Sequence, residues 1–356
     1  MAKRLVLCAD GTWNHPEQVR GDDPSPTNVI KIARSLLPQD DAGIEQIVWY
    51  QWGLGTRSRV DRFLGGFFGS GLEENVEAAY RFLAVNYAEG DEIFLFGFSR
   101  GAFIVRSLAG MIGNVGLLRK ESTDLLDEAY ERYRSRSRRD RPRSPATVAF
   151  REAHAREVEI RFLGVWDTVG ARGIPLRALN AWNRFRHGFH DVTLPRIVRN
   201  AFQALAIDER RGLFSPALWE IKGSGPVPGQ RIEQTWFPGV HADVGGGYAD
   251  SGLADGALLW MAERAQECGL SFDDRALSAV ADPDFRGTLH RSRKGYHRLT
   301  FQRVREMGTA YPETESVHAS ARARLQAPEL GYAPENLLEY LGERAGSGPV
   351  APLEVS

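Results

Sequence analysis

Cysteine is scarce in this sequence. Only Cys8 and Cys268 occur among 356 residues, each in an apolar stretch and neither in a CxxC pair. Cysteines this few and this isolated exclude a disulfide-framework protein and a thiolate metal site. The sequence therefore predicts two buried, reduced thiols and a protein of a reducing compartment.

Long hydrophobic runs are missing too. A membrane-spanning helix needs about 20 mainly apolar residues, and no stretch approaches that length. The N-terminus starts with basic residues, as a signal peptide does, but its apolar run ends after five residues at Asp10. That run is too short for the hydrophobic region of a signal peptide. We expect a cytoplasmic protein without a transmembrane segment; secretion without a signal peptide and peripheral membrane contact stay open.

The sequence has no excess of charge of one sign. Its 45 basic and 46 acidic residues give a formal net charge of -1. Such a chain has no general attraction for nucleic acid or anionic membranes, and no nucleic-acid partner is expected. The one basic cluster, residues 132–143, has seven arginines but a single aromatic residue, Tyr133. It is typical of a solvated insertion, and a site for anionic headgroups or nucleic acid is the alternative.

Short apolar segments alternate with amphipathic ones over the first 270 residues. Strands are predicted at 4–9, 46–51, 92–98, 159–166 and 233–240, and helices after Thr27 and at 72–87, 100–112, 194–207 and 256–267. This alternation predicts an α/β fold with a mostly parallel sheet covered by helices on both faces. We expect one domain over 1–356, with insertions at 114–158 and 171–195 and with C-terminal loops and short helices over 270–356. Residues 176–189 are consistent with either a lid over an acyl pocket or an ordinary packed helix.

A serine stands between two glycines at the end of the strongest predicted strand, in Gly97-Phe98-Ser99-Arg100-Gly101. The Gly-x-Ser-x-Gly pattern by itself is weak evidence. Its place between a buried strand and an apolar helix is typical of a nucleophile elbow, in which a strained turn presents the hydroxyl at the carboxyl end of the strand. The alternative is a tight turn with a serine as helix cap.

A nucleophilic serine needs a base and an orienting acid, which follow it in the order acid, histidine in this type of sheet. His241 is the best candidate base, because it follows a strand in a glycine-rich loop, whereas His187 and His190 lie in a polar stretch. Asp167 is the best candidate acid, since it ends the strand after the serine strand. Asp208 favours an ion pair with Arg210 or Arg211, and Asp243 suits bracing of the His241 loop.

The oxyanion of an ester reaction needs backbone N–H donors. The amide of Arg100, directly after the serine, and the turn at Gly11 and Thr12 are the candidates, with Asp10 in support. The same turn raises a competing reaction, since aspartyl-phosphate hydrolases use Asp-x-Asp-Gly-Thr. Cys8 stands where their nucleophilic aspartate would be, which disfavours that chemistry.

No metal or cofactor is predicted. Asp10, His241 and Asp243 could meet in space, but nothing in their spacing is typical of a metal site. The expected partner is a small-molecule or lipid ester.

Several segments occur together with these residues in a fixed order. They are 8–14 (Cys-Ala-Asp-Gly-Thr-Trp-Asn), 53–56 (Gly-Leu-Gly-Thr), 90–101, 166–169 (Trp-Asp-Thr-Val), 206–211, the loop of His241 and 332–337 (Tyr-Ala-Pro-Glu-Asn-Leu). Together they resemble the α/β-hydrolase family of the type VI secretion phospholipase effectors, formerly a domain of unknown function. The resemblance extends over nearly the whole chain.

The resemblance implies an ester-cleaving α/β hydrolase, with Ser99, Asp167 and His241 at the positions of nucleophile, acid and base. We expect a serine hydrolase that acts on an acyl or lipid-like carboxylic ester. A phospholipase acting on bacterial membranes and a catalytically silent scaffold with the same fold are the alternatives.

Overall fold

A central parallel sheet dominates the computed structural model, which describes residues 2–11, 14, 17, 19–20, 23–53, 72–135, 137–169, 193–220, 225–293, 301–309 and 311–346. The sheet strands are β1 (Arg4–Ala9), β2 (Gln46–Gln51), β3 (Glu92–Phe98), β4 (Ile160–Trp166), β5 (Val198–Ala206), β6 (Arg231–Phe237) and β7 (Glu315–Val317). The helices are α1 (Asn28–Ser35), α2 (Leu72–Asn86), α3 (Arg100–Val115), α4 (Leu126–Arg134), α5 (Pro145–His154), α6 (His241–Gly245), α7 (Gly252–Glu267), α8 (Asp274–Val280), α9 (Ala319–Leu325) and α10 (Glu335–Gly346).

Smaller elements complete the described chain. Two short antiparallel ribbons pair Val19–Arg20 with Asp23–Pro24, and Leu117–Leu118 with Ala155–Arg156. Short 3₁₀ turns occupy Lys120–Leu125, Arg138–Asp140, Gly212–Phe214, Pro312–Thr314 and Pro328–Leu330.

The seven strands lie in the order β7-β6-β5-β4-β3-β1-β2, and every neighbouring pair is parallel. The chain therefore moves outward in one direction from β1 to β2, and in the other direction from β3 onward. Between β1 and β3 the direction of winding reverses. In open α/β sheets, ligands bind outside the carboxyl ends of the strands at such a reversal. The predicted α/β class is confirmed, and the sheet places the ends of β1 and β3 side by side.

Alternate residues of the central strands bury against different helices. In β1, Leu5 and Leu7 join a cluster with α2 and α3, while Val6 and Cys8 join another with α1 and α7. This is the two-residue period of a strand that is covered on both faces. A third cluster of apolar residues packs α9 and α10 against the β5–β6–β7 edge. The segment after residue 270 thus contributes to the core near the ends of β5 and β6.

One predicted element is wrong. The pattern at 194–207 predicts a helix, but Val198–Ala206 forms β5, paired with β4 on one side and β6 on the other. Three alanines, at 201, 204 and 206, favour a helix locally. Two parallel neighbours supply hydrogen bonds along both edges of the strand, and this tertiary context outweighs the local preference. Of the predicted insertion at 171–195, only 193–195 are described. The rest of it, including His187, His190 and the segment 176–189 that is predicted as a lid or a packed helix, lies outside the described residues.

Candidate active site

Ser99 occupies a strained turn between β3 and α3. Its backbone has a φ of +55° and a ψ of -113°, and Asp167, with a φ of +40°, is the only other non-glycine residue with positive φ in the described part of the chain. Such conformations cost about 1–3 kcal/mol each and persist only where the surroundings impose them. The half-buried Ser99 is therefore held up at the carboxyl end of the strand, where the pattern predicts a nucleophile.

The two glycines beside Ser99 let the strand and helix approach closely. A Cβ on Gly101 would lie 1.9 Å from the carbonyl oxygen of Ala9 in β1, and one on Gly97 would lie 2.6 Å from the backbone of Ala102. Both contacts are far below van der Waals distance. Close packing of strand and helix thus explains why glycine stands on both sides of Ser99. A serine that acts only as a helix cap does not require these two glycines.

The turn after β1 faces Ser99 across the reversal point of the sheet. A Cβ on Gly11 would lie 3.2 Å from the Cβ of Ser99 and 3.5 Å from the carbonyl oxygen of Phe98, so the turn lies close to the serine. The buried Asp10 braces this turn by accepting hydrogen bonds from Thr27 Oγ1, Tyr50 Oη, Asn14 Nδ2 and the Gly11 N–H. Burial raises the Asp10 pKa, and these donors offset part of the rise. Asp10 therefore shapes the turn rather than facing the serine.

Asp167 lies at the end of β4, next to the serine strand. The Ser99 N–H donates to the carbonyl of Trp166, the residue before Asp167, at 3.1 Å. The Asp167 carboxylate is fully buried and accepts from the Ala206 N–H at 3.1 Å and from both terminal nitrogens of Arg305, at 2.5 and 2.9 Å. Burial would raise the Asp167 pKa, but the Arg305 charge and the hydrogen bonds outweigh it and hold the pKa well below its usual range.

His241 is paired with Asp167. Its Nδ1 lies 2.5 Å from Asp167 Oδ2, and since an ionised carboxylate only accepts, Nδ1 carries the proton and Nε2 presents a lone pair. The ring packs against Phe98 and Phe214, at centroid distances of 4.6 and 5.1 Å. Burial among these rings lowers the His241 pKa, although Asp167 opposes that shift. A neutral imidazole beside an ionised carboxylate is the resting state of a general base.

The other candidate acids have structural partners. Asp208 accepts from the Gly239 N–H at 2.7 Å and from the Tyr332 hydroxyl at 2.9 Å, and burial raises its pKa to about 6. Of the two predicted ion-pair partners of Asp208, Arg210 and Arg211, Arg211 pairs instead with Glu209 at 2.8 Å. Hydrogen bonds and charge from Arg211 outweigh burial and lower the Glu209 pKa to about 2.

Asp243 braces the loop of His241. It accepts from the Val240 N–H at 2.9 Å and lies 2.6 Å from His290 Nδ1, whose ring stacks on Tyr248 at 3.8 Å. Burial raises the Asp243 pKa, and the contacts with Val240 and His290 offset part of that rise. Asp243 and His290 thus fix the segment that presents His241.

Of the three predicted oxyanion donors, the structure describes Gly11 and Arg100. Arg100 begins α3, and the first N–H groups of a helix point out of its N-terminal end. The Gly11 N–H donates to Asp10 Oδ1 at 2.7 Å, so in this conformation it is occupied. Thr12 lies outside the described residues. Burial lowers the Arg100 pKa to about 10.

Sequence reasoning missed Arg305. It lies on a loop with no motif around it, and a lone arginine in a sequence with many arginines gives no signal. The late motif at 332–337 is the nearest indication, because Asn336 Nδ2 donates to the carbonyl of Arg305 at 3.1 Å.

Within the described ranges, no three His, Cys, Asp or Glu side chains are grouped as metal ligands, and no helix is long and apolar enough to cross a bilayer.

Three comparisons relate the chain to known proteins. Residues 3–264 match the family described as the catalytic domain of the Tle1-like phospholipase effectors of the type VI secretion system. A Saccharomyces cerevisiae protein described as uncharacterized, YEL023C, is 34% identical over 233 residues; the match covers 60% of this chain and 32% of the yeast protein, about a third of its length. The crystal structure of an uncharacterized Pseudomonas aeruginosa protein aligns with 19% identity and a TM-score of 0.45, over 80% of this chain and 49% of the other.

Proposed function

Because this chain belongs to the family of Tle1-like phospholipase effector catalytic domains, we propose that it is a serine hydrolase that cleaves a carboxylic ester of an acyl or lipid-like substrate. Family membership supports phospholipase or esterase activity in general. The observation that carries the finer proposal is the 2.5 Å contact of His241 with Asp167, at the same sheet edge as the strained turn of Ser99.

In the proposed reaction, His241 Nε2 takes the proton of Ser99 as its oxygen attacks the ester carbonyl. Asp167 holds the imidazole in the required tautomer and stabilises the imidazolium that forms. The Arg100 N–H stabilises the oxyanion. Of the second predicted pair of donors, the Gly11 N–H is bound to Asp10, so the Thr12 N–H is the candidate. The imidazolium then protonates the departing alcohol, leaving an acyl-serine. Water, deprotonated by His241, releases the acid and restores Ser99.

We assign to Arg100 only the contribution of its amide, because Arg100 begins α3 directly after Ser99 and the first N–H groups of a helix point out of its N-terminal end.

The test is hydrolysis of short p-nitrophenyl esters by wild type and by Ser99→Ala. Loss of the nucleophile should lower kcat by about 10³-fold or more in a protein of unchanged circular dichroism. Ser107→Ala, in the same helix and buried, is the matched control and should keep most of the activity. Equal turnover by folded Ser99→Ala would contradict the serine mechanism, and a wild type without esterase activity on any acyl ester would favour a catalytically silent scaffold.

A further inference from the structure

Arg305 is a buried cation in direct contact with Asp167. Its side chain is 3% exposed, and its two terminal nitrogens bind both oxygens of Asp167. The same nitrogens donate to the carbonyls of Ala206, at 2.8 Å, and Phe214, at 2.7 Å. A planar guanidinium that pairs with both oxygens of a carboxylate fixes its plane as well as its distance.

The arginine is itself held by the C-terminal part of the chain. Asn336, buried at the start of α10, donates to the carbonyls of Arg305, at 3.1 Å, and Ile207, at 3.2 Å. The segment before Arg305 pairs with the segment after β5, through Arg303 N–H to Arg210 O and Gly212 N–H to Phe301 O. Arg305 and Asn336 both lie beyond residue 264, where the match to the family ends.

The charge of Arg305 matters as much as its geometry. An isolated Asp167 carboxylate would stabilise a proton on His241, whereas a carboxylate paired with a cation does so much less. Two other charged groups lie near His241. Glu209 accepts a hydrogen bond from the backbone N–H of His241 at 3.3 Å, and Arg211 pairs with Glu209. On α6 itself, Asp243 is paired with His290. Glu209 and Asp243 thus each have a positive or protonatable partner, and Arg305 is the partner of Asp167.

We propose that Arg305 is a positioning residue that holds the Asp167 carboxylate in the plane His241 needs and neutralises its charge, so that the imidazole stays unprotonated and able to act as a base in mildly acidic conditions. The inference rests on the proposed function, because it names a further residue of the same site. It assigns a catalytic consequence to the C-terminal segment that carries Arg305 and Asn336.

The test compares pH profiles of kcat/KM for wild type and Arg305→Gln. Without the guanidinium, the Asp167–His241 pair takes up its proton at higher pH, so the acid limb should move upward by about 1 pH unit. Because the carboxylate also loses its fixed plane, kcat should fall while KM changes little. Arg305→Lys keeps the charge but not the paired contact, so its acid limb should stay near that of wild type, with kcat still reduced.

The matched control is Arg324→Gln. Arg324 is also buried in the C-terminal segment, but it donates to the carbonyls of Phe285 and Gly287 and lies over the ring of Tyr332. Its loss should lower the melting temperature and leave the acid limb in place. If Arg305→Gln also lowers the melting temperature and leaves the acid limb of the pH profile in place, Arg305 is only structural and the proposal is wrong. If Arg305→Gln does not fold, a wild-type kcat in Arg305→Lys overturns it equally.

A second readout separates this inference from the proposed function. The protonation of His241 can be followed by NMR of the imidazole nitrogens in protein labelled with ¹⁵N-histidine, which requires no turnover. If the pKa of His241 is higher in Arg305→Gln than in wild type, the role of Arg305 is supported even when wild type hydrolyses no ester. In that case only the proposed function fails. An unchanged titration in Arg305→Gln, with an active wild type, refutes the role of Arg305 alone.

Discussion

Asp167 is the residue on which the proposed mechanism and the stability of the site both depend. Asp167→Asn favours the wrong imidazole tautomer, so kcat should fall by about 10⁴-fold. It also leaves the buried Arg305 without its counterion, and breaking a buried pair from one side costs about 3–5 kcal/mol. We therefore expect urea denaturation to show a large loss of stability together with the loss of activity, which the sequence alone did not indicate.

The double variant Asp167→Asn/Arg305→Gln separates the two effects. Removing both charges should restore part of the unfolding free energy that Asp167→Asn loses, because no unpaired buried charge remains. Activity should stay lost, since the acid is still missing. A double variant that is no more stable than Asp167→Asn would show that the ion pair is not what the single variant disrupts.

The buried Asp208 should make the stability of the protein depend on pH. The pKa of Asp208 rises from 3.8 when exposed to about 6 in the fold because of burial. Between these values the folded state binds more protons than the unfolded state, so this group's contribution to stability is full at low pH and is lost as pH rises through 6. Asp208→Asn removes that titration. The stability of wild type relative to the variant should decrease between pH 4 and pH 7 by up to about 3 kcal/mol.

Chemical denaturation at a series of pH values measures this difference. Asp41→Asn, which removes one exposed carboxylate, is the control. A constant difference between wild type and Asp208→Asn over the whole range would contradict the assignment of a raised pKa to Asp208. Turnover by Asp208→Asn should stay close to that of wild type, since Asp208 bonds to Gly239 and Tyr332 rather than to His241.

At the scale of elements, the crossing of β1, β3 and α3 is the tightest part of the site. Gly101→Ala would place a methyl group 1.9 Å from the Ala9 carbonyl, so the helix must move away from the sheet. We expect severe destabilisation and loss of activity in soluble protein. Gly256→Ala, in α7, is the control, because no described atom lies within 4 Å of its added Cβ.

In the control, alanine replaces glycine inside a helix without a clash, which should stabilise by about 0.5–1 kcal/mol. Thermal denaturation of both variants checks the pair. Melting of Gly101→Ala at the wild-type temperature would mean that β1 and α3 are less tightly packed than this structure has them.

Most elements could be predicted from the sequence because their signals are local. The apolar runs at 4–9 and 46–51 coincide with β1 and β2, and Thr27 caps α1 as predicted. The strand at 198–206 could not be predicted, because its alanines favour a helix and its identity depends on neighbours distant in the sequence. Arg305 was missed for the same reason: its partner, Asp167, is 138 residues away.

Properties of the whole molecule bear on the physical form of the substrate. The net charge of -1 gives no general attraction to anionic surfaces, and the Asp167–His241 pair is already formed in this structure. We therefore predict that esters with short or medium acyl chains are cleaved below their aggregation limit, with no sharp rise in rate above it. A rate-versus-concentration curve across that limit is the measurement.

Vesicles of phosphatidylcholine and phosphatidylglycerol provide the comparison. Strong activation by vesicles, with release of fatty acid and little activity on dispersed esters, would contradict this prediction and favour a phospholipase that acts on bilayers. Comparable rates on dispersed and vesicular esters would agree with it.

The proposed mechanism requires that Ser99 is a nucleophile activated by His241 and Asp167. A fluorophosphonate probe tests it most directly, because it reacts covalently with an activated serine and not with a serine that only caps a helix. We expect one adduct per chain, located at Ser99 by peptide mass spectrometry. The adduct should be absent from Ser99→Ala and should form much more slowly in Asp167→Asn. An unlabelled wild type, or an adduct on another residue that persists in Ser99→Ala, would contradict it.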